Sequence, residues 1–412
     1  MALSLALSWL AACPGASSVP SSTQRERAQP AVTALQAGSF VEARRLADQA
    51  LAEDGHNGHA AAVRAIVGFQ AAMHDLREQT MLVLDSASST DGFDHARMRA
   101  ALERTVKALA AADADLVVAA RDQRFSLELC LACWERDWNH SGEVDRNDRR
   151  LFQIEINENG DYLPEGDPRR TPTFHFDVGD VHWARAMLSF QRAFLEMLLA
   201  YRWTELDRLV GSLFRGSPPL ITIHLDHPER IARARALILD GLEHADRCRR
   251  AYLAETDDDR EWVPNPRQRN HPLPLPVDDQ LYQVWAGILG DVERLIAGKE
   301  ALSVADLAQL GDDRWDNPPG GYIDIARMLS APRNIVLDLP ALERKWDRPE
   351  RTKADRKALV EDTLVSVLGD YYDRTGARKA SPLIQRLARM KREMDRGEDT
   401  FERKLRYLLW LN

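Results

Sequence analysis

Hydrophobic positions recur along most of this chain at helical spacing. In His95–Gln123 the apolar residues fall on one face at three- and four-residue steps, which predicts a helix over 94–123. The segment VHWARAMLSFQRAFLEMLLAYRW, 181–203, is apolar on most sides and predicts a central buried helix, with too many Arg and Glu residues to span lipid. Helices are also predicted for TELDRLVGSLF, for PERIARARALILDGLEHADRCRRAYLAE and for DDQLYQVWAGILGDVERLIAGKE. FSLELCLACWER, from Phe125 to Arg136, is read the same way. Alternation with period two is rare, and LITIHL at 220–225 is the plausible strand. The class is therefore mostly α: helical hairpins or an orthogonal bundle.

Length and composition refine this picture. The 412 residues suggest two units, with the Pro-rich stretch 262–276 as a boundary or a long wrapping loop between a helical domain over 30–261 and a C-terminal helical region over 277–412. The hydrophobic fraction is 44% and the charged fraction 29%, which fits a folded, water-exposed chain. A net charge of −9, with basic residues spread beside acids, argues against nucleic acid as a partner.

Gly38, Phe40, Ala43, Ala50, Leu51 and Asp54 stand in AGSFVEARRLADQALAED at a distinctive spacing. Gly38 permits a tight turn, and the two Ala residues permit close helix approach. This half-repeat resembles the tetratricopeptide family, which implies a helical hairpin start with grooves for a protein partner. A generic Ala-rich hairpin has the same features.

The N-terminal run MALSLALSWLAAC ends in Leu10-Ala11-Ala12-Cys13, ahead of the polar stretch 14–29. It resembles the lipobox of bacterial lipoproteins. The resemblance implies a signal peptide over 1–13, lipidation at Cys13, a flexible tether, and attachment to the cell-envelope membrane through acyl chains alone. A plain hydrophobic tail on a cytoplasmic protein is the alternative. Cys130 and Cys133 fall on one face of the helix read over their segment, as two buried thiols or, in an oxidising envelope compartment, a disulfide.

The chemistry centres on DWNHSGEVDRND, 137–148. Oxygen-bearing side chains stand at positions 1, 3, 5, 9 and 12 of this frame as Asp137, Asn139, Ser141, Asp145 and Asp148. Gly142 holds position 6, Glu143 offers its backbone oxygen at 7, and Val144 is the apolar residue at 8. Calcium takes six to eight oxygens, and a loop of this length can wrap it. The segment resembles the EF-hand family, particularly its dockerin-type variant, and the resemblance implies Ca2+ held by Asp137, Asn139, Ser141, Glu143, Asp145 and Asp148 between two helices. Ser141 and Asp148 are weaker or shorter than the usual ligands, which points to dissociation constants of roughly 10⁻⁴–10⁻³ M. The competing reading is a polar turn with Asp148 as a helix cap. The stretch Asn157–Asp161 is a degenerate partner hand or a simple turn.

The function expected is a non-enzymatic, calcium-binding envelope lipoprotein serving as a scaffold or protein-binding module. The competing function is a metal-dependent hydrolase built on His175, Asp177, Asp180 and His182, where imidazole and carboxylate suit a transition metal. Asp177 or Asp180 capping the helix that starts near Val181 would instead use up those carboxylates. No HExxH, Gly-x-Ser-x-Gly, phosphate-loop or dinucleotide motif is present. A catalytic triad assembled across the fold would leave no local trace.

Overall fold

The fold is given by a computed structural model, in which residues 21–87, 93–138, 141–157, 159–205, 220–274, 277–308, 319–338, 340, 353–375 and 378–394 are described. Cys13 and Asn139 lie outside them. The described residues are mostly helical, as the periodicity predicts. The helices are α1 (Ser21–Gln36), α2 (Phe40–Glu53), α3 (Gly58–Ala87), α4 (His95–Ala119), α5 (Arg146–Arg150), α6 (Val178–Ala200), α7 (Pro228–Ala254), α8 (Asp279–Ile296), α9 (Val304–Leu307), α10 (Ile325–Ser330), α11 (Lys353–Leu368) and α12 (Leu383–Met394).

Helices α1 to α4 pack in sequence, each against the next. Gly38 turns the chain between α1 and α2 at φ +70°, a conformation that glycine adopts without strain. Ala43, Ala47 and Ala50 form the buried face of α2. Phe40 reaches out of the hairpin to stack edge-on against Trp134, with ring centres 5.3 Å apart. Arg64 of α3 pairs with Asp115 of α4 at 2.5 Å.

Helix α6 begins with a reciprocal cap: Asp177 accepts the Gly179 and Asp180 N–H groups, and Asp180 accepts the Asp177 N–H. It lies along α7 in the most extensive helix pairing of the fold. Two glycines allow this closeness. A Cβ on Gly179 would stand 2.7 Å from the Tyr252 ring, and one on Gly241 would stand 2.6 Å from the Phe190 ring.

Short strands complete the frame. The strand β1 (Leu127–Leu129) pairs antiparallel with β2 (Phe174–Phe176), with Leu127 opposite Phe176 and Leu129 opposite Phe174. A second sheet, in the order β3 (Tyr201–Arg202), β4 (Leu220–Leu225) and β7 (Ile335–Asp338), contains the LITIHL segment as β4. A third joins β5 (Leu302–Ser303), β6 (Tyr322–Ile323) and β8 (Tyr372–Asp373).

One helical expectation is overturned. FSLELCLACWER forms β1 and a 3₁₀ turn at Leu131–Cys133, where Cys130 and Cys133 are joined in a disulfide. The reason is a short alternation that its apolar richness hides: Phe125, Leu127 and Leu129 are buried, while Glu128 is exposed. The loop 137–148 is therefore entered from a strand and a turn instead of a helix. On its other side the helix is the single short α5, after which Ile154 and Ile156 run in an extended course into the core.

Two large hydrophobic cores result among the described residues, beside a small cluster of Ala28, Ala50 and Ala60. One gathers α1–α4, β1, Trp134 and one face of α6. The other gathers Ile154, Ile156, Phe174, Tyr252, Val263, Leu273 and Tyr282. The Pro-rich stretch wraps this second core, with Val263, Asn265, Gln268 and Leu273 buried. Asn265 donates to the Tyr252 carbonyl at 2.9 Å, and Tyr282 OH donates to the Pro264 carbonyl at 3.0 Å.

Candidate functional site

The loop 137–148 closes on its own backbone. Asp137 accepts the Ser141 N–H at 3.0 Å and the Gly142 N–H at 2.7 Å. Gly142, at φ +93°, makes the sharp bend expected of the sixth position. Ser141 Oγ donates to the Glu143 carbonyl at 2.9 Å. Asp145 caps α5 through the Asn147 and Asp148 amides. Asp148, only 3% exposed, accepts the Trp138 N–H at 2.7 Å and the Asp145 N–H at 2.9 Å. Val144, expected to tuck inward, is exposed. The loop thus combines features of both readings: carboxylates used in turning and capping, in a frame of calcium-loop spacing. A carboxylate has about four lone-pair sites, so two amide bonds do not exhaust it. Among the described residues, no three His, Cys, Asp or Glu side chains gather as a ready-made metal site.

Asn157–Asp161 forms a tight turn: Asn157 Oδ1 accepts the Asn159 and Asp161 N–H groups, and Gly160 has φ +88°. It joins Ile156 to Tyr162 in an antiparallel bridge.

The loop is one wall of a cavity of about 590 Å³. Trp138, Asn147, Asp148 and Phe152 of the loop region face Ala62, Ile66, Phe69 and Met73 of α3, Phe125 and Leu127 at β1, and Trp183, Ala184, Met187 and Leu188 of α6. Trp134, Phe176 and Trp262 complete an aromatic lining. Its rings interlock edge to face: Trp138 with Phe152 at 5.3 Å, Trp134 with Phe152 at 6.0 Å, and Phe176 with Trp262 at 5.7 Å. Arg136 lies over the Phe40 and Trp138 rings at 4.8 and 5.1 Å, which fixes the rim. Burial lowers the tendency of this guanidinium to hold its proton. Arg77 ties α3 to the loop by donating to the Trp138 carbonyl at 2.6 Å. Nε1 of Trp134, Nε1 of Trp138 and Oε1 of Gln191 are buried without a hydrogen-bond partner among the described residues.

Comparison with protein-family models, curated proteins and solved structures gives no match.

The four residues 175, 177, 180 and 182 do not converge. Asp177 and Asp180 are occupied by the cap, and Asp180 also accepts the Tyr252 hydroxyl at 2.5 Å. His182 stacks on His244, Nδ1 to Nδ1 at 3.1 Å, and burial holds its pKa down at about 4. His175 points elsewhere, with Ser126 Oγ at 2.7 Å from Nε2 and Glu261 Oε1 at 3.4 Å from Nδ1. Burial also raises the Asp180 carboxyl far above its usual range, with Asp177 adding to the effect. Glu255 is raised to about 10, first by burial and then by Asp177 and Glu261.

Sequence reasoning missed the cavity. Its four tryptophans come from three separate segments, and no motif links them. The Trp134–Trp138 pair inside the acidic-loop region was the one local signal.

Proposed function

We propose that this chain is a binding module for a small apolar molecule. The carrying observation is the cavity of about 590 Å³, within the ordinary size of small-molecule sites and lined by four tryptophans. The polar side chains of Gln70, His74 and Gln191 stand in the lining among these apolar groups. They suit a ligand with an apolar body and one hydrogen-bonding head that both accepts and donates. A ligand of this kind fits a cavity of this size and lining better than the protein partner expected from the helical grooves.

The test is a titration with N-phenylnaphthylamine, an uncharged apolar amine whose emission rises in dry surroundings. One saturable site with roughly micromolar affinity is expected, together with quenching of tryptophan emission. An emission rise that stays linear in probe concentration would count against the reading.

Calcium at 137–148 is a second proposal, favoured by Gly142 at positive φ and by Asp137 gathering the amides of positions 5 and 6. The ion would draw Asp137, Asn139, Ser141, the Glu143 carbonyl, Asp145 and Asp148 together and order the cavity wall. At a dissociation constant of roughly 10⁻⁴–10⁻³ M, about 10 mM Ca2+ adds about 1.4–2.7 kcal/mol of stability. Calorimetric unfolding should show a rise in midpoint with Ca2+ that Asp137→Asn abolishes. That variant keeps a carbonyl acceptor for one of the two amides and removes the charge. An unchanged midpoint in the parent chain would exclude the proposal.

The Cys130–Cys133 disulfide supports an oxidising compartment. It thereby supports the envelope location, with a lipid on Cys13, that Leu10–Cys13 implies. No helix among the described residues is long and apolar enough to cross a membrane.

A further inference from the structure

The ribbon that walls the cavity has a second face. Phe125 and Leu127, beside Phe176, line the cavity, while Ser126, just before β1, and His175 of β2 lie off that lining. There Ser126 Oγ is 2.7 Å from His175 Nε2, and His175 Nδ1 is 3.4 Å from Glu261 Oε1. The backbone holds this order. His175 N–H donates to the Arg260 carbonyl at 2.9 Å, and His175 and Glu261 are bridge partners. The Ser126 carbonyl is held by His59 at 3.0 Å and by Arg25 at 3.1 Å.

Hydroxyl, imidazole and carboxylate are thus linked through the correct ring nitrogens, from residues 49 and 86 positions apart. A Glu261 carboxylate accepting Nδ1–H leaves the Nε2 lone pair facing the hydroxyl, the arrangement that activates a serine. Glu261 is 2% exposed, and its Oε2 has no partner among the described residues, so its interaction is directed at the imidazole. Ser126 is half-buried and the His175 side chain is 17% exposed, so the pair is not sealed from solvent.

We propose that Ser126, His175 and Glu261 form an acyl-transfer site that hydrolyses carboxylic esters, an activity beyond the binding role and independent of it. Ser126 Oγ bonds to the ester carbonyl carbon as its proton passes to His175 Nε2. The carbon–alkoxy bond then breaks, and the same proton leaves with the alcohol. Water attacks the acyl-serine, gives a proton to Nε2, and the acid departs as that proton returns to Ser126 Oγ. Ester and water become acid and alcohol with no change of oxidation state. Glu261 is a positioning residue, and Arg25 brings a cation to the nucleophile's own backbone. The charges facing His175 are Glu261, Asp259 at 3.7 Å and Asp177. The Glu261 hydrogen bond is foremost in raising the imidazole pKa, which burial partly offsets.

The full chain is treated with a fluorophosphonate probe, and p-nitrophenyl butyrate turnover is followed across pH. Probe adduct on Ser126 is expected. Ser126→Ala should abolish it, and His175→Gln should slow it about 10²–10⁴-fold, with the melting temperatures of both near that of the parent. Turnover should rise with pH through a midpoint above 6.5, because only neutral His175 accepts the proton, and Glu261→Gln should move that midpoint down. Three results would each overturn the proposal: an unlabelled Ser126 in folded parent chain, a labelling rate that His175→Gln leaves unchanged, or turnover flat with pH.

Discussion

Tyr252→Ala is expected to destabilise the fold by about 4 kcal/mol, the range for removing a buried aromatic ring. Tyr252 is fully buried, covers Gly179 at the start of α6, and stands at the centre of the second core. Its hydroxyl also donates to the buried Asp180, so the substitution empties a ring-sized space and removes a partner of a carboxyl group that has little water to turn to. Tyr252→Phe keeps the ring and separates the two effects. It should cost about 1–3 kcal/mol, the penalty for a buried group left without its bond. Urea unfolding of the three proteins checks this order. The same neighbourhood sets a pH slope. Asp180 and Glu255 have carboxyl pKa values raised by burial, Glu255 to about 10, so the folded chain binds more protons than the unfolded one above the usual carboxylate range. Their stabilising effect is complete below the unfolded pKa and is lost as pH rises through the folded value. Stability should therefore fall between about pH 7 and pH 10. In that window His59, His182 and His244, whose pKa values are lowered, are neutral in both states. Glu255→Gln should flatten the slope.

Asp148→Ala is expected to cost about 3 kcal/mol and to loosen the cavity wall. Asp148 is buried and accepts two backbone amides on its two oxygens, one from Trp138 and one from Asp145. Alanine would leave both donors without this acceptor. The first amide belongs to the residue whose ring lines the cavity, and the second starts α5. Asp148→Asn retains one carbonyl acceptor and should fall between parent and alanine. Denaturation midpoints give the cost, and a red shift of tryptophan emission would report the opened wall around Trp134 and Trp138. Parent-like midpoints with unchanged emission would show that the loop contributes little to the wall.

The parts of the fold that the sequence discloses are those with long unbroken periodicity. Helices α4 and α6 and strand β4 stand close to their predicted bounds because their patterns run without interruption. The segment Phe125–Arg136 misleads because a three-residue strand shows barely one cycle of alternation, inside a run apolar enough to pass for a helix. Once that strand is in place, Cys130 and Cys133 turn a corner together and meet as a disulfide. The site is less legible still. DWNHSGEVDRND announces a sharply turned, carboxylate-rich loop, and that much is present in the bend at Gly142 and the amides on Asp137. Nothing local announces that Trp138 and Asp148 face Trp183 of α6 across a cavity. Asp177 and Asp180 read equally well as metal ligands or helix caps, because both roles use the same oxygens. Tertiary position decides it: the Tyr252 hydroxyl and the amides of α6 occupy them. Ser126, His175 and Glu261 come from three segments that only the fold brings together.

The account rests on the cavity as the site of binding, and filling it is the most direct test. Ala184 is a half-buried residue of α6 in the cavity lining, so Ala184→Trp would place an indole in the space while leaving the caps and ion pairs of α6 in place. Calorimetric titration with N-phenylnaphthylamine is then run on the parent chain and on this variant, with melting temperatures recorded for both. The account predicts one site in the parent, affinity lowered at least about tenfold in Ala184→Trp, equivalent to about 1.4 kcal/mol or more, and a melting temperature held or raised. Equal affinity in the two proteins would contradict it, as would a parent chain that takes up no probe.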